Sequence, residues 1–359
     1  MARSTFEPTI PEGSWILVTG VNGYLASHTA DQVLQHGYRV RGTTRNLQKS
    51  RWIKELFNQK YGDSVFELLH VKDMTCPGAF DDAVKGVSGV AHVATIFGGD
   101  QIPDLSSAVI ETNRNLLISA AKEPTVKRFV YTSSSEAAAF TSFHEHDESQ
   151  VSHITVNTWN DEAVRRSQGN GTAMGPKNGF DMYAASKTLG EQALFEWVEE
   201  NSPGFVVNTV LPSVCFGPSI DPVSQGHASS SAWPVAIFSN TFDQVWRFLQ
   251  HIIPTGAYCV DARDVALLHL AGLIHPDVQN ERLFAFGNPF SWNKVLSIFR
   301  KEFPGRQLPG QLPAQCEGVQ LYGIEPAVRA QELLGALGKP DASWFSLADT
   351  LKANVADLI

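Results

Sequence analysis

The sequence predicts an α/β protein built on a doubly wound parallel sheet, with a smaller, mainly C-terminal region beside it. Three observations carry that expectation. Short apolar runs alternate with longer stretches of helical period, the pattern of parallel strands joined by crossover helices. A glycine-containing turn separates the first apolar run from the first helical stretch. From residue 213 onward, Gly, Ser and Pro crowd the chain and the helical stretches are separated by irregular segments.

In chain order the apolar runs place strands at 15–19, 38–44, 65–71, 90–94, 129–132 and 205–210. Helical periodicity falls on 24–36, 50–61, 105–122 and 184–200, and right-handed crossovers put these helices on both faces of the sheet. Further helices are expected over 292–303 and 344–354. We therefore expect a core over 13–212 and a substrate-binding region over 213–359, with about 255–290 returning to the core. The long polar stretch 141–180 has the character of a functional loop.

Composition narrows the function. The 359 residues are 43% hydrophobic, enough to fill one large core. Lys and Arg number 28 against 37 Asp and Glu, with no dense basic run, so no nucleic-acid partner is expected. Cys76, Cys215, Cys259 and Cys316 are scattered, so neither a metal site nor a disulfide framework is expected. Residues 1–12 hold one basic residue and no apolar stretch, and no run reaches the roughly 18 apolar residues of a membrane span. The expectation is a cytoplasmic monomer or homodimer with no membrane partner.

The first strand runs through Thr19-Gly20-Val21-Asn22-Gly23-Tyr24-Leu25-Ala26 into a helix. A side chain at Gly20 would obstruct the tight turn, and one at Gly23 would hold a pyrophosphate away from the amides at the helix N-terminus. This makes the sheet Rossmann-type, with Thr19, Gly20, Asn22, Gly23, Tyr24 and Leu25 as candidate dinucleotide-binding residues. Asp73 and Met74 after the third strand, and Val93, Ala94 and Thr95 at the end of the fourth, stand where such sheets bind ligands. Asp73 suits either an acceptor for the adenine amine or the N-cap of a helical turn that follows it. The second strand ends in Gly42-Thr43-Thr44-Arg45, without the acid that an NAD site places about 20 residues beyond its glycines. Arg45 offers a guanidinium to a 2′-phosphate and Lys49 a further charge, so NADPH is the expected cofactor.

Tyr183 and Lys187 are one helical turn apart. An ammonium beside a phenol favours the phenolate, which lowers the phenol pKa and eases proton donation to a developing alkoxide. The fifth strand ends in Thr132-Ser133-Ser134 at the ligand edge, where a hydroxyl can polarise a substrate carbonyl.

Together these residues resemble the extended branch of the short-chain dehydrogenase/reductase superfamily, which contains dihydroflavonol reductases and fungal carbonyl or aldehyde reductases. The resemblance runs in order through Val18-Thr19-Gly20 with Gly23, Val40-Arg41-Gly42-Thr43-Thr44-Arg45, Gly89-Val90-Ala91-His92-Val93-Ala94, Thr132-Ser133-Ser134, Tyr183 to Lys187, Leu211-Pro212 and the run from Tyr258 to Ala266. It implies that Tyr183 donates the proton, Ser134 polarises the carbonyl, with Ser133 its adjacent candidate, and Lys187 binds the nicotinamide ribose and tunes Tyr183. It also implies that Thr132 and Ser133 border the cofactor, and that Pro212, Ser213 and Val214 flank the nicotinamide. Asp261 and Asp264 then organise a strand and helix, Asp264 standing at a helix N-cap position. Phe97, Phe180, Val214 and Trp233 are candidate pocket walls, and the expected reaction is NADPH-dependent reduction of a hydrophobic aldehyde, ketone or keto ester to its alcohol. Two other functions share these residues: an NAD-retaining nucleotide-sugar epimerase or dehydratase, and a redox-sensing protein that binds the dinucleotide without chemistry.

Overall fold

The computed structural model describes residues 6–96, 104–140, 153–169, 176–312 and 323–359. Strand and helix alternate through β1 (Trp15–Val18), α1 (Tyr24–Gln35), β2 (Arg39–Thr44), α2 (Arg51–Tyr61), β3 (Phe66–His70), β4 (Gly89–His92), α3 (Leu105–Lys122) and β5 (Arg128–Thr132). A short β6 (His153–Ile154) and α4 (Asp161–Gly169) precede the long α5 (Pro176–Asn201) and β7 (Val206–Pro212). Then come β8 (Val214–Phe216), α6 (Ala232–Phe238), α7 (Phe242–Ile252), β9 (Gly256–Asp261), α8 (Ala262–Ile274), β10 (Arg282–Ala285) and β11 (Asn288–Ser291). The chain ends with α9 (Trp292–Glu302), β12 (Gly323–Ile324), α10 (Ala327–Ala336) and α11 (Leu347–Asn354).

Seven parallel strands form the main sheet in the order β10-β7-β5-β4-β1-β2-β3. Every residue of β4 and β5 is buried, which is why these strands read as continuous apolar runs without alternation. The chain order reverses between β1 and β4, so their carboxyl ends form the crevice where a doubly wound sheet binds its ligand. Apolar residues of α1, α2, α8 and α10 pack in one cluster with strand residues, and those of α3 and α5 pack in another. A third cluster joins α6, α7, α9 and α11 beyond the sheet.

The expected doubly wound sheet is present, and β10, from the C-terminal part, completes it beside β7. Three local features differ from the sequence expectation. Helix α5 starts at Pro176 rather than at residue 184, a proline being compatible with a first helical turn. Tyr183 therefore lies two turns inside the helix. Strand β4 stops at His92, leaving Val93, Ala94 and Thr95 in irregular backbone. Asp261, not Asp264, caps α8, accepting from the Arg263 amide. Asp264 is buried in the first turn, where its carboxylate pairs with Lys339 and accepts from the Phe345 amide at 2.8 Å.

After β8 the segment 217–225 lies across the start of α1. The Tyr24 phenol donates to the Gly217 carbonyl at 3.0 Å, and His28 Nε2 bonds the Pro218 carbonyl at 2.8 Å. Gln225 Nε2 donates to the Asn22 carbonyl at 3.2 Å and to Ser27 Oγ at 3.0 Å. Among the described residues no helix is long and apolar enough to cross a membrane.

Candidate active site

The turn after β1 is built by one hydroxyl and one glycine. Thr19 is buried, and its Oγ1 accepts from the Val93 and Ala94 amides, each at 3.0 Å. With both lone pairs used, its proton goes to His92 Nδ1, 2.9 Å away, so the neutral imidazole carries its hydrogen on Nε2. Burial, with the Lys187 ammonium adding to it, pushes His92 down to about 3 and keeps it uncharged. Gly20 adopts φ +63°, and a Cβ there would lie 2.9 Å from the Ala94 Cβ. Only glycine suits that backbone and that gap.

Gly23 caps α1, whose first turn contains no acidic residue, so the positive end of the helix is uncompensated beside the turn. Leu25 is half-buried beneath it, Asn22 gives its carbonyl to Gln225, and the Tyr24 phenol is committed to Gly217. Thr43 fixes the neighbouring strand end: its carbonyl accepts from the Val21 amide at 3.0 Å and its hydroxyl from the Gly20 amide at 3.2 Å. Beyond it Arg45 and Lys49 are exposed, and neither side chain is paired among the described residues. Asp73 caps its own turn, one carboxylate oxygen accepting from the Thr75 amide at 2.9 Å and hydroxyl at 2.7 Å. The Met74 carbonyl accepts from Asn115.

At the end of β5 two adjacent serines face different partners. Ser133 Oγ donates to the buried Glu191 carboxylate at 2.8 Å. Ser134 Oγ accepts from the Glu136 amide at 3.2 Å and is hydrogen-bonded to Tyr183. Tyr183 is half-buried and its ring stacks on Phe180, centroids 6.3 Å apart. The Lys187 ammonium donates to the Thr132 carbonyl at 3.0 Å and lies over the Tyr131 ring. Thr132 Oγ1 donates at 2.6 Å to His269 Nε2, because His269 Nδ1 bonds the Val265 carbonyl and must carry the ring hydrogen.

The electrostatics correct one sequence expectation. Burial pushes the Tyr183 phenol up to about 12, against which the Ser134 hydrogen bond acts, and Lys187 is not among the groups that shift it. Burial likewise lowers Lys187 to about 8, opposed by the Glu191 carboxylate. Desolvation, which sequence spacing does not report, dominates the phenol.

Sequence reasoning missed Glu191 and Arg282. Their side chains pair at 3.0 Å, almost fully buried, between α5 and β10. Glu191 follows Lys187 by one turn, a spacing that could have drawn attention to it, but nothing local links it to Arg282, 91 residues away.

Ser213 donates its hydroxyl to the Ala285 carbonyl at 3.1 Å, and Pro212 pairs with Ala285 across β7 and β10. Phe180, Val214 and Trp233 are partly buried at the margin of the third cluster, and Phe97 lies outside the described residues, as does Cys316. Among the described residues no group of three His, Cys, Asp or Glu side chains could hold a metal ion. An open hollow lined by Lys127, Phe205 and Asn280 lies at the opposite, N-terminal edge of β5 and β7 and has no part in this site.

The chain matches the model of the NAD dependent epimerase/dehydratase family over residues 16–237. It is 35% identical over 344 residues to aldehyde reductase 2 of Sporidiobolus salmonicolor, covering 96% of this chain and 95% of that one. Ketoreductase adrE of Penicillium rubens is 36% identical over 352 residues, covering 97% of each chain. Yeast methylglyoxal/isovaleraldehyde reductase Gre2, solved with NADPH, has the same fold, with a TM-score of 0.76 at 23% identity over 96% of this chain and 98% of that one. With the family model spanning well over half of its length and fungal relatives aligned nearly end to end, the chain belongs to the NAD dependent epimerase/dehydratase family.

Proposed function

We propose that this protein is an NADPH-dependent reductase that converts a hydrophobic aldehyde or ketone to its alcohol. The observation that carries the proposal is the hydrogen-bonded pair Ser134 and Tyr183 at the carboxyl edge of the sheet, on the ligand side of the Gly20 turn. Residues 13–212 supply the cofactor-binding core and 213–359 mainly the substrate side, with about 255–290 returning to the core.

The residues present fit a phosphorylated dinucleotide. The tight Gly20 turn against Ala94 leaves the α1 amides open to a pyrophosphate, and the exposed cations Arg45 and Lys49 suit a 2′-phosphate. When bound, the reduced nicotinamide supplies the hydride. Ser134 and Tyr183 hold the carbonyl oxygen between two hydroxyl donors. A phenol raised to about 12 is fully protonated at neutral pH, so Tyr183 has the proton to give as the oxygen becomes an alkoxide. Lys187, fixed by the Thr132 carbonyl, presents its remaining N–H donors to the ribose. Pro212, Ser213 and Val214 flank the nicotinamide, and Phe180 and Trp233 form apolar walls that favour aryl or alkyl aldehydes and keto esters. Relatives named as an aldehyde reductase and a ketoreductase support a reductive role over sugar-nucleotide epimerisation.

The test is to mix the protein with NADPH and a panel of aldehydes and ketones and follow loss of NADPH absorbance, with Tyr183→Phe beside it. Turnover with the wild type and a loss of at least roughly a hundredfold in the variant are expected, the usual range for positioned acid catalysis. Purification with tightly held NAD and no NADPH consumption would point instead to an internal hydride cycle.

A further inference from the structure

A buried ion pair with hydrogen bonds to both carboxylate oxygens lies behind the catalytic residues, not among them. The Glu191 carboxylate accepts from Thr209 Oγ1 at 2.6 Å and Arg282 Nε at 3.0 Å on one oxygen, and from Ser133 Oγ at 2.8 Å and Arg282 Nη2 at 3.2 Å on the other. The other terminal nitrogen of Arg282, Nη1, donates to the Val156 and Thr158 carbonyls at 2.7 and 2.8 Å, and the guanidinium lies 3.8 Å over the Trp159 ring. One ion pair thus joins α5, β5, β7, β10 and the segment 155–159. Removing such a charged pair from water is expensive, and an apolar pair of similar volume is often at least as stable, so stability alone does not account for it.

We propose that Glu191 and Arg282 are positioning residues that set the catalytic helix against the sheet and turn the Ser133-Ser134 pair so that Ser134 meets Tyr183. The inference rests on the proposed reductase reading. The geometry supports it in two ways. Ser133 and Ser134 are consecutive, so pinning the first hydroxyl to Glu191 fixes the backbone from which the second projects. Glu191 stands one turn beyond Lys187 and two beyond Tyr183 on α5, so the same contact sets the helix's rotation and its height over β5 and β7. Arg282 transmits that register to 155–159, the stretch leading into α4, which itself packs on α5.

Glu191 is also the one acidic group acting on Lys187 among the described residues. The other titratable groups around the lysine are Tyr183 on its own helix, His92 from β4 and Tyr131 from β5, with His269 behind Thr132 from α8. Burial keeps both histidines neutral and both phenols protonated at neutral pH. Loss of the carboxylate therefore moves the alkaline limb of the pH profile towards acid.

The experiment compares the wild type, Glu191→Gln, the apolar pair Glu191→Leu/Arg282→Met, and Tyr183→Phe by thermal unfolding, NADPH binding and NADPH-consuming turnover across pH. Expected for Glu191→Gln are a lowered Tm, because the buried Arg282 charge loses its counterion, NADPH affinity within about threefold, at least about a tenfold fall in kcat, and an alkaline limb shifted towards acid. The apolar pair should regain stability without regaining kcat. Wild-type kcat and pH profile in Glu191→Gln, or an apolar pair in which kcat returns together with Tm, overturns the inference. Should the apolar pair fail to fold, the kcat and pH profile of Glu191→Gln decide alone. An active Tyr183→Phe overturns the reductase reading and the inference with it, whereas an inactive Tyr183→Phe beside an unaffected Glu191→Gln removes only the inference.

Discussion

The Ser134 hydroxyl is hydrogen-bonded to the Tyr183 phenol, across the gap between the end of β5 and the middle of α5. Ser134→Ala should therefore lower kcat by roughly a hundredfold, the usual cost of losing a donor aimed at a developing oxyanion, with NADPH affinity preserved. Ser133→Ala should lower stability by about 1 kcal/mol, since it removes one partner of a buried carboxylate, with a fall in kcat smaller than that of Ser134→Ala as Ser134 loses its anchor. Steady-state kinetics and thermal unfolding on the two variants separate the roles. A crippled Ser133→Ala beside a fully active Ser134→Ala reverses the assignment.

Arg45 is exposed just after β2 and carries no ion pair among the described residues, so its guanidinium is available to a 2′-phosphate. Arg45→Ala should lower kcat/KM for NADPH by about tenfold or more and leave that for NADH nearly unchanged. Equal loss with both cofactors, or a wild type that prefers NADH, removes Arg45 from cofactor selection.

Lys187 loses its proton near pH 8 rather than at its ordinary 10.5, because burial disfavours the ammonium. As pH rises through that value the donor to the ribose weakens, so kcat/KM, which reports the free enzyme, should fall above about pH 8. Stability should respond oppositely. Between about 8 and 10.5 the unfolded chain still binds a proton that the folded chain has released, so this lysine's contribution to unfolding free energy rises with pH. Denaturant midpoints at about pH 7 and about pH 9.5 should show that rise in the wild type and its loss in Lys187→Met. Equal slopes in the two proteins contradict the assignment.

Thr19 joins β1 to the end of β4 through three hydrogen bonds. Thr19→Val keeps the shape and leaves His92 Nδ1 buried without its donor, at a cost of about 1–3 kcal/mol. A lowered Tm and weaker NADPH binding are the expected results, read by thermal unfolding and by fluorescence titration. An unchanged Tm would show that the hydroxyl does not hold the two strand ends together.

The parts of this molecule legible in the sequence are those whose chemistry is local. The run from Trp15 to Ala26 compresses a strand, a turn and a helix into consecutive residues, and the four-residue spacing of Tyr183 and Lys187 already fixes their shared helix face. The start of α5 was not legible, because the polar residues before Tyr183 carry no apolar period and a proline at the first turn reads as a breaker. Nor was the pairing of Glu191 with Arg282, since strand order alone brings β10 back beside β7. The phenol's raised pKa depends on burial, a property of the assembled site that residue spacing does not encode. Asp264 illustrates the same limit: its position relative to α8 suggested a cap, while its partner Lys339 lies 75 residues away.

Four hydrogen bonds fasten the segment 217–225 to the first two turns of α1 and the turn before it, two of them from the single amide of Gln225. Opening along that seam breaks all four together, at a net cost of about 0.5–1.5 kcal/mol each. Cutting the stitch with Gln225→Ala should loosen that seam, speeding the departure of bound nucleotide while leaving the chemistry at Tyr183 in place.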